Sequence, residues 1–350
     1  MVSRLGAWLD ERTGLGQPLR AFLDYPVPHY VHKNLLYSLG GLTLITLLLQ
    51  MLSGVLLVLY YDPSPQAAYD SVDYITYRLP LGWLVRGIHH YGASAMVILV
   101  ALHMLRTYFF SAYKKPRELN WLSGVLLLFV TLAFGFTGYL LPWDQKGYWA
   151  TKVGTEIVGS VPLVGETVMR LIRGGKELGQ ITLTRFYATH VILLPALVGL
   201  LVLLHIQQLR RHGIAPPITQ RAQAKAQQYA PFFPNWVVTD MVLGLALIAV
   251  LVWLSWAYRA PLEFPADPTR NDYLPRPEWY FLFLFQMLKY FPGPLEPLAT
   301  VVIPLLALGS LLALPFVDTG AERRPWRKPV TTGMAILCIV SIIVLTLLAL

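Results

Sequence analysis

The sequence predicts an all-α, polytopic membrane protein with seven transmembrane helices, and two features lead to that fold class. Only 13% of its 350 residues are charged while 55% are hydrophobic. Charge-free runs such as "YSLGGLTLITLLLQMLSGVLLVLYY" (37–61) and "VTTGMAILCIVSIIVLTLLAL" (330–350) also recur along the chain. A helix needs about 20 apolar residues to cross ~30 Å of hydrocarbon. That criterion places spans at 34–60, 83–109, 120–141, 182–209, 236–258, 297–317 and 330–350.

In chain order, residues 1–33 carry several charges and no apolar core of signal-peptide length, so they read as an uncleaved segment along the membrane surface. Residues 34–210 form a four-span module. The polar, proline-bearing stretch 211–235 reads as a cytoplasmic linker, and 236–350 as a three-span module. Two outer loops are long. Residues 142–185 alternate apolar and charged positions between Pro and Gly breaks, which predicts short surface helices, and 259–297 are rich in Pro and then in aromatics. Long ordered loops are more often functional than idle.

The net charge of +9 is sorted by loop. Lys114, Lys115 and Arg117 follow span two, Arg210, Arg211, Arg221 and Lys225 follow span four, and Arg323, Arg324, Arg327 and Lys328 follow span six. The positive-inside rule puts these loops and the N-terminus in the cytoplasm and the C-terminus outside. Topology accounts for the basicity, so nucleic-acid binding is set aside. Cys338 is the only cysteine, which excludes an intrachain disulfide, a C-x-x-C-H haem attachment and a cysteine-ligated iron–sulfur cluster within this chain.

Five histidines stand inside the membrane: His89, His90 and His103 in span two, His190 and His205 in span four. Intramembrane ionisable residues are costly and mark function, although one alone would equally serve as interhelical hydrogen-bond glue. Fourteen residues at about 100° each fall within ~40° of four turns, so His89 and His103 share a face ~21 Å apart along the axis. Both spans run the same way, which pairs His89 with His190 near the outside and His103 with His205 near the inside. Two stacked His/His pairs suit two six-coordinate b-type haems, since each planar ring takes one imidazole per side. The 15-residue interval in span four leaves a ~60° misfit, and a kink at Pro195 is expected to absorb part of it. His90 is out of phase with His103, which favours His89.

Gly40 and Gly54 in span one, and Gly124 and Gly138 in span three, repeat the interval of 14. Glycine permits close approach, so the flanking spans are expected to press against the porphyrin edges. Arg86, Arg106 and Arg185 lie three to five residues from the histidines, at the right depth to meet haem propionates. Interfacial positive flanking explains any one of them nearly as well.

With these residues in place, the chain resembles the cytochrome b subunit of the Rieske/cytochrome b complexes over nearly its whole length. "KKPRELNW" (114–121), "GYLLPWDQKGYWA" (138–150), "LTRFYATH" (183–190) and "PEWY" (277–280) are similar to family motifs in the same order. The histidine intervals and the seven spans look most like the split plant and cyanobacterial form with its two pieces fused, and suggest a bacterial cytoplasmic membrane. Ser38 stands where the plant-type subunit has a cysteine that holds a covalent haem, so none is expected here.

The resemblance implies quinol oxidation at the outer side. One electron would pass to a Rieske iron–sulfur partner and then to a c-type cytochrome; the other would cross both haems to an inner quinone site, building a proton gradient. It implies an oxidoreductase active only within its complex, and a homodimer. Glu278, a carboxylate in an apolar loop, is the candidate proton acceptor beside Tyr280. Tyr139, Pro142, Trp143, Pro277 and Phe285 are candidates for the outer pocket, and Arg210 for the inner one. Aromatics at an interface are ordinarily belt residues, so these assignments rest mostly on the resemblance. Two rivals remain: a dihaem anchor for a soluble catalytic subunit, which would need neither the three-span module nor the PEWY loop, and a transporter with histidines in a proton path.

Overall fold

The structure is a computed structural model and describes residues 2–14, 16–218, 228–270 and 272–350; Arg221 and Lys225 of the linker lie outside the described residues. Among the described residues, seven helices are long and apolar enough to span a membrane: Leu39–Val58, Gly82–Phe109, Glu118–Tyr139, Gln180–His212, Phe232–Ala257, Gly293–Val317 and Pro329–Ala349. Each overlaps one span read from the sequence.

The N-terminal segment forms two short helices, α1 (Val2–Thr13) and α2 (Gly16–Leu23). The first span is α3 (Leu39–Val58). A short helix α4 (Ala68–Tyr77) leads into α5 (Gly82–Phe109), the second span, and α6 (Glu118–Tyr139) is the third. The outer loop after α6 folds into α7 (Gln145–Gly159) and α8 (Gly165–Arg173). Asp144 starts α7 by accepting the Gly147 N–H at 2.8 Å, which satisfies one of the free donors of a first helical turn. Gly174 ends α8 at φ +78°, a left-handed position that favours glycine. The fourth span, α9 (Gln180–His212), follows.

Helices α3 and α5 pack along each other, and α6 and α9 do the same, so the four-span module is two helix pairs face to face. The later spans dock on it separately. Helix α10 (Val237–Ala257) lies on α5 and α3, and Gly87 of α5 lets it approach: a Cβ there would come 2.5 Å from Ser255. After a short outer helix α11 (Leu282–Lys289), α12 (Ile303–Val317) docks on α6, where the Trp121 indole N–H donates to the Leu311 carbonyl at 2.6 Å. The last helix, α13 (Pro329–Ala349), packs on α11. Helices α12 and α13 expose apolar side chains nearly all round, as helices bathed in lipid do.

Two loop connections tie distant parts together. Strands Pro26–Pro28 and Tyr229–Pro231 pair antiparallel, fastening the end of the linker to the N-terminal segment. After α12, Asp318 binds Lys114 at 2.8 Å and also Lys328 and Tyr113, so the loops after α5 and α12 share one buried charge cluster. Two of the basic residues read as topological flanking, Lys114 and Lys328, therefore also act as clamps.

Candidate functional site

Helix α5 runs unbroken past His89 and His103, which keeps both on one face ~21 Å apart. Helix α9 contains a single π turn at Thr189–Leu193, closed by the Leu194 N–H on the Thr189 carbonyl. A π turn absorbs one extra residue, so the 15-residue interval turns through about the angle that 14 cover on α5. The sequence pointed to a kink at Pro195 for this adjustment. The structure makes it in the preceding turn, where Pro195, with no N–H to donate, leaves the ladder open.

The result is two facing imidazole pairs. The ring centroids of His89 and His190 are 6.3 Å apart at 72°, and those of His103 and His205 are 6.3 Å apart at 69°. A metal–nitrogen bond of about 2 Å on each side, plus about 1.1 Å from nitrogen to ring centre, gives a separation of about 6.2 Å. The four rings therefore fit axial ligation of two irons. His90 instead faces Tyr91, with ring centroids 5.0 Å apart.

Each repeating glycine faces one of these rings. A Cβ would come 3.3 Å from His89 Cε1 at Gly54, 3.2 Å from His103 Cε1 at Gly40, 3.3 Å from His205 Cε1 at Gly124 and 2.7 Å from His190 Cε1 at Gly138. The sequence suggested that glycine makes room for the porphyrin edge; among the described residues, what each glycine faces is an imidazole.

Sequence reasoning passed over a set of hydroxyls. Ser53 Oγ lies 3.0 Å from His89 Nδ1, Thr137 Oγ1 3.0 Å from His190 Nδ1, and Ser123 Oγ 2.9 Å from His205 Nδ1. Each hydroxyl proton is already donated to a carbonyl of its own helix: Leu49 at 2.8 Å, Ala133 at 2.8 Å and Asn120 at 2.9 Å. The oxygen is placed to accept from Nδ1–H, an arrangement that matches the tautomer with Nε2 bare for a metal. A signal was present in the sequence: these residues directly precede Gly54, Gly138 and Gly124.

The arginines differ from one another. Arg86 donates to Thr76 Oγ1 at 3.1 Å and to the carbonyls of Ala260, at 2.8 Å, and Pro261, so its terminal nitrogens hold the loop after α10. Arg185 binds the Leu171 carbonyl. Arg106 stacks on Tyr37, 3.9 Å from the ring centroid, yet its Nε and Nη2 are buried without a partner among the described residues. Buried unpaired guanidinium nitrogens are costly, and they suit an anionic propionate one turn below His103. Arg323 reaches the same region, donating to the Phe110 carbonyl at 3.0 Å while its Nε stays unpaired among the described residues. Arg210 is boxed by aromatics, 3.8 Å from the Phe22 ring and 4.9 Å from Tyr25. Ser38 is buried near Asp240 on α10. The Asp240 carboxylate, a group inside a span that the sequence reading missed, accepts the Trp236 indole N–H at 2.7 Å.

At the outer end the loop before α11 is laced to the motif after α6. Gln145 N–H donates to Phe264 O at 2.9 Å, Ala266 N–H to Trp143 O at 3.0 Å, and Glu263 N–H to Asp144 at 3.2 Å. Burial holds the Asp144 carboxyl above its ordinary range. Tyr280 lies against Gly135, where a Cβ would come 2.8 Å from its hydroxyl. Burial and the nearby Glu278 charge hold that phenol above its usual range, so it is a donor at physiological pH. Glu278 is paired with Lys146 at 2.7 Å, a long-range partner the sequence did not reveal. Lys146 and Pro277 line a cavity of about 290 Å³ with Tyr273, Leu282 and Leu350. Trp143 is buried against Tyr148, Tyr139 and Phe136 meet edge to face, Pro142 directly precedes Trp143 in the chain, and Phe285 lies beneath Lys289.

Comparison with known proteins gives the family of the chain. Residues 22–213 match the family described as "Cytochrome b/b6/petB", and residues 265–350 match "Cytochrome b(C-terminal)/b6/petD". The chain is 36% identical to a cytochrome bc complex cytochrome b subunit of Chlorobaculum thiosulfatiphilum, across 98% of this chain and 80% of that one. It is 42% identical to cytochrome b6 of Synechococcus sp. (strain JA-3-3Ab), across 62% of this chain and all of that one. A solved structure titled "Hyperthermophilic respiratory Complex III" superposes with a TM-score of 0.85 at 32% identity, covering 98% of this chain and 90% of that chain.

Proposed function

This chain belongs to the cytochrome b family, and from that premise we propose that it is the dihaem subunit of a quinol-oxidising complex with two non-covalent b haems and two quinone sites. The observation that carries the reading is the pair of facing imidazoles, twice repeated at 6.3 Å. His89 and His190 hold the outer haem, and His103 and His205 the inner one. Each haem supplies a one-electron iron couple inside the membrane. Ser38 has no thiol to form a thioether, so neither haem is covalent and no third one is attached there.

Quinol binds at the outer end, among Tyr139, Pro142, Trp143, Pro277, Tyr280 and Phe285. Glu278 takes a quinol proton, and Lys146 draws the carboxylate toward the outer surface, where the proton leaves. Tyr280 donates a hydrogen bond to a quinol oxygen and excludes water. One electron goes to a Rieske iron–sulfur partner and on to a c-type cytochrome; the other goes inward past His89 and His103. Arg106 holds a propionate of the inner haem, and Arg210 faces the inner quinone, which takes protons from the cytoplasm. Release outside and uptake inside build the proton gradient. The complex is a homodimer in a bacterial cytoplasmic membrane, with the N-terminus cytoplasmic and the C-terminus outside.

The test is a redox titration of the purified complex with pyridine haemochrome analysis. Two b haems per chain, both extracted by acidic acetone, are expected. No α-band after dithionite reduction would overturn the reading, and a haem that resists extraction would overturn the part that rests on Ser38.

A further inference from the structure

The four imidazoles are not equivalent, and the difference follows the direction across the bundle. Both outer rings have a hydroxyl oxygen on Nδ1, from Ser53 and Thr137. Of the inner rings His205 has one, from Ser123. On α3 the residue before Gly54 is Ser53, and the residue before Gly40, fourteen positions earlier on the same face, is Leu39. His103 consequently rests against Gly40, with no hydroxyl beside its ring among the described residues.

An acceptor on Nδ1–H increases the electron-donating power of Nε2 toward a bound metal. A more basic ligand favours the Fe(III) form over Fe(II) and lowers the reduction potential. With Nε2 on a metal, Nδ1 carries the ring proton, and each hydroxyl, its own proton on a helix carbonyl, acts as the acceptor. Hydroxyls that bond back along their own membrane helix are common. What sets these three apart is that each precedes the glycine that clears the same ring.

Resting on the ligation proposed above, we infer that Ser53, Thr137 and Ser123 are positioning residues that order the two haem potentials. Two acceptors on the outer pair make it the weaker oxidant, and one on the inner pair makes it the stronger. With both haems bound, that order would favour electron transfer from the outer pair toward the inner pair. The buried, unpaired guanidinium nitrogens of Arg106 push in the same direction by favouring the electron nearby.

Equilibrium redox titration of the purified complex, with the haem count taken on the same sample, tests this. Ser53→Ala and Thr137→Val are each expected to make the outer haem about fivefold easier to reduce, a rise of ~40 mV at 59 mV per tenfold for one electron, with the inner haem unmoved. Ser123→Ala is expected to raise only the inner potential, and Leu39→Ser to lower it. Ser53→Thr, which keeps the oxygen, is expected to retain the parental value, which separates the hydrogen bond from packing. Unchanged outer potentials in both Ser53→Ala and Thr137→Val with two haems bound would overturn this inference alone, as would equal shifts in Ser53→Thr and Ser53→Ala. A parental complex with fewer than two haems would overturn the ligation on which it rests.

Discussion

The outer and inner ends of the four-helix module hold the same pair of imidazoles at the same 6.3 Å and are otherwise built differently. At the outer end these charged groups are matched: Arg86 is bound to the loop after α10, Glu278 to Lys146, and Asp144 to two backbone N–H groups. At the inner end, positive charge is left over on Arg106 and Arg323, and Arg210 is held by aromatic faces in place of a carboxylate. A site whose charges are paired is held in place before anything binds. One with buried cations lacking counter-charges is completed by an anion. The imidazole pair is thus common to both halves, and what surrounds it gives each half its character.

The largest expected effects break the shared part. His190→Leu should remove the outer haem and His103→Leu the inner one, each leaving one b haem per chain by pyridine haemochrome with one potential missing. Next, Glu278→Gln should slow quinol oxidation by roughly 100-fold, the usual scale for losing a general base, with both haem spectra intact in a pre-steady-state assay. Glycine substitution sharpens the contrast between the ends. Gly138→Ala meets His190 at 2.7 Å and Gly40→Ala meets His103 at 3.2 Å, so the outer variant should lose more haem and more thermal stability, on the scale of ~1–3 kcal/mol for overpacking.

Smaller effects are expected at the cytoplasmic end. Arg106→Gln should make the inner haem about tenfold harder to reduce, ~59 mV for one electron, and leave the outer one unchanged in a redox titration. The mildest concerns Asp318. Burial raises its carboxyl, but hydrogen bonds from Lys114, Lys328 and Tyr113 outweigh that and hold it below the ordinary carboxylate range. A depressed folded value contributes stability that is complete above the unfolded range and is lost as pH falls through the folded value. Thermal unfolding in detergent should therefore show an extra acid-side loss below about pH 4, and Asp318→Asn should abolish that extra loss.

Features set by local periodicity are legible in the amino-acid sequence. Seven apolar runs give seven helices, and an interval of 14 on α5 puts His89 and His103 on one face whatever surrounds them. The same interval picks out the four glycines but not their task, because which atoms a missing Cβ would strike depends on the neighbouring helix. The dipeptides Ser53-Gly54, Ser123-Gly124 and Thr137-Gly138 stand in plain view; only the approach of a histidine from another helix makes their hydroxyls meaningful. The Lys146–Glu278 pair and the Arg323–Phe110 contact join segments far apart in the chain, and no local pattern encodes them.

Sequence alone determined the membrane class, the seven spans, the spacing of the intramembrane histidines and the family, because each depends on composition or on spacing within a single helix or motif. Tertiary structure alone decided the π turn that brings His190 into register, the glycine that addresses each ring, the hydroxyl that addresses three of them, and which arginines keep unpaired nitrogens. Those depend on the distance and angle between helices, which follow from the packing of whole surfaces against one another and are written in no single segment.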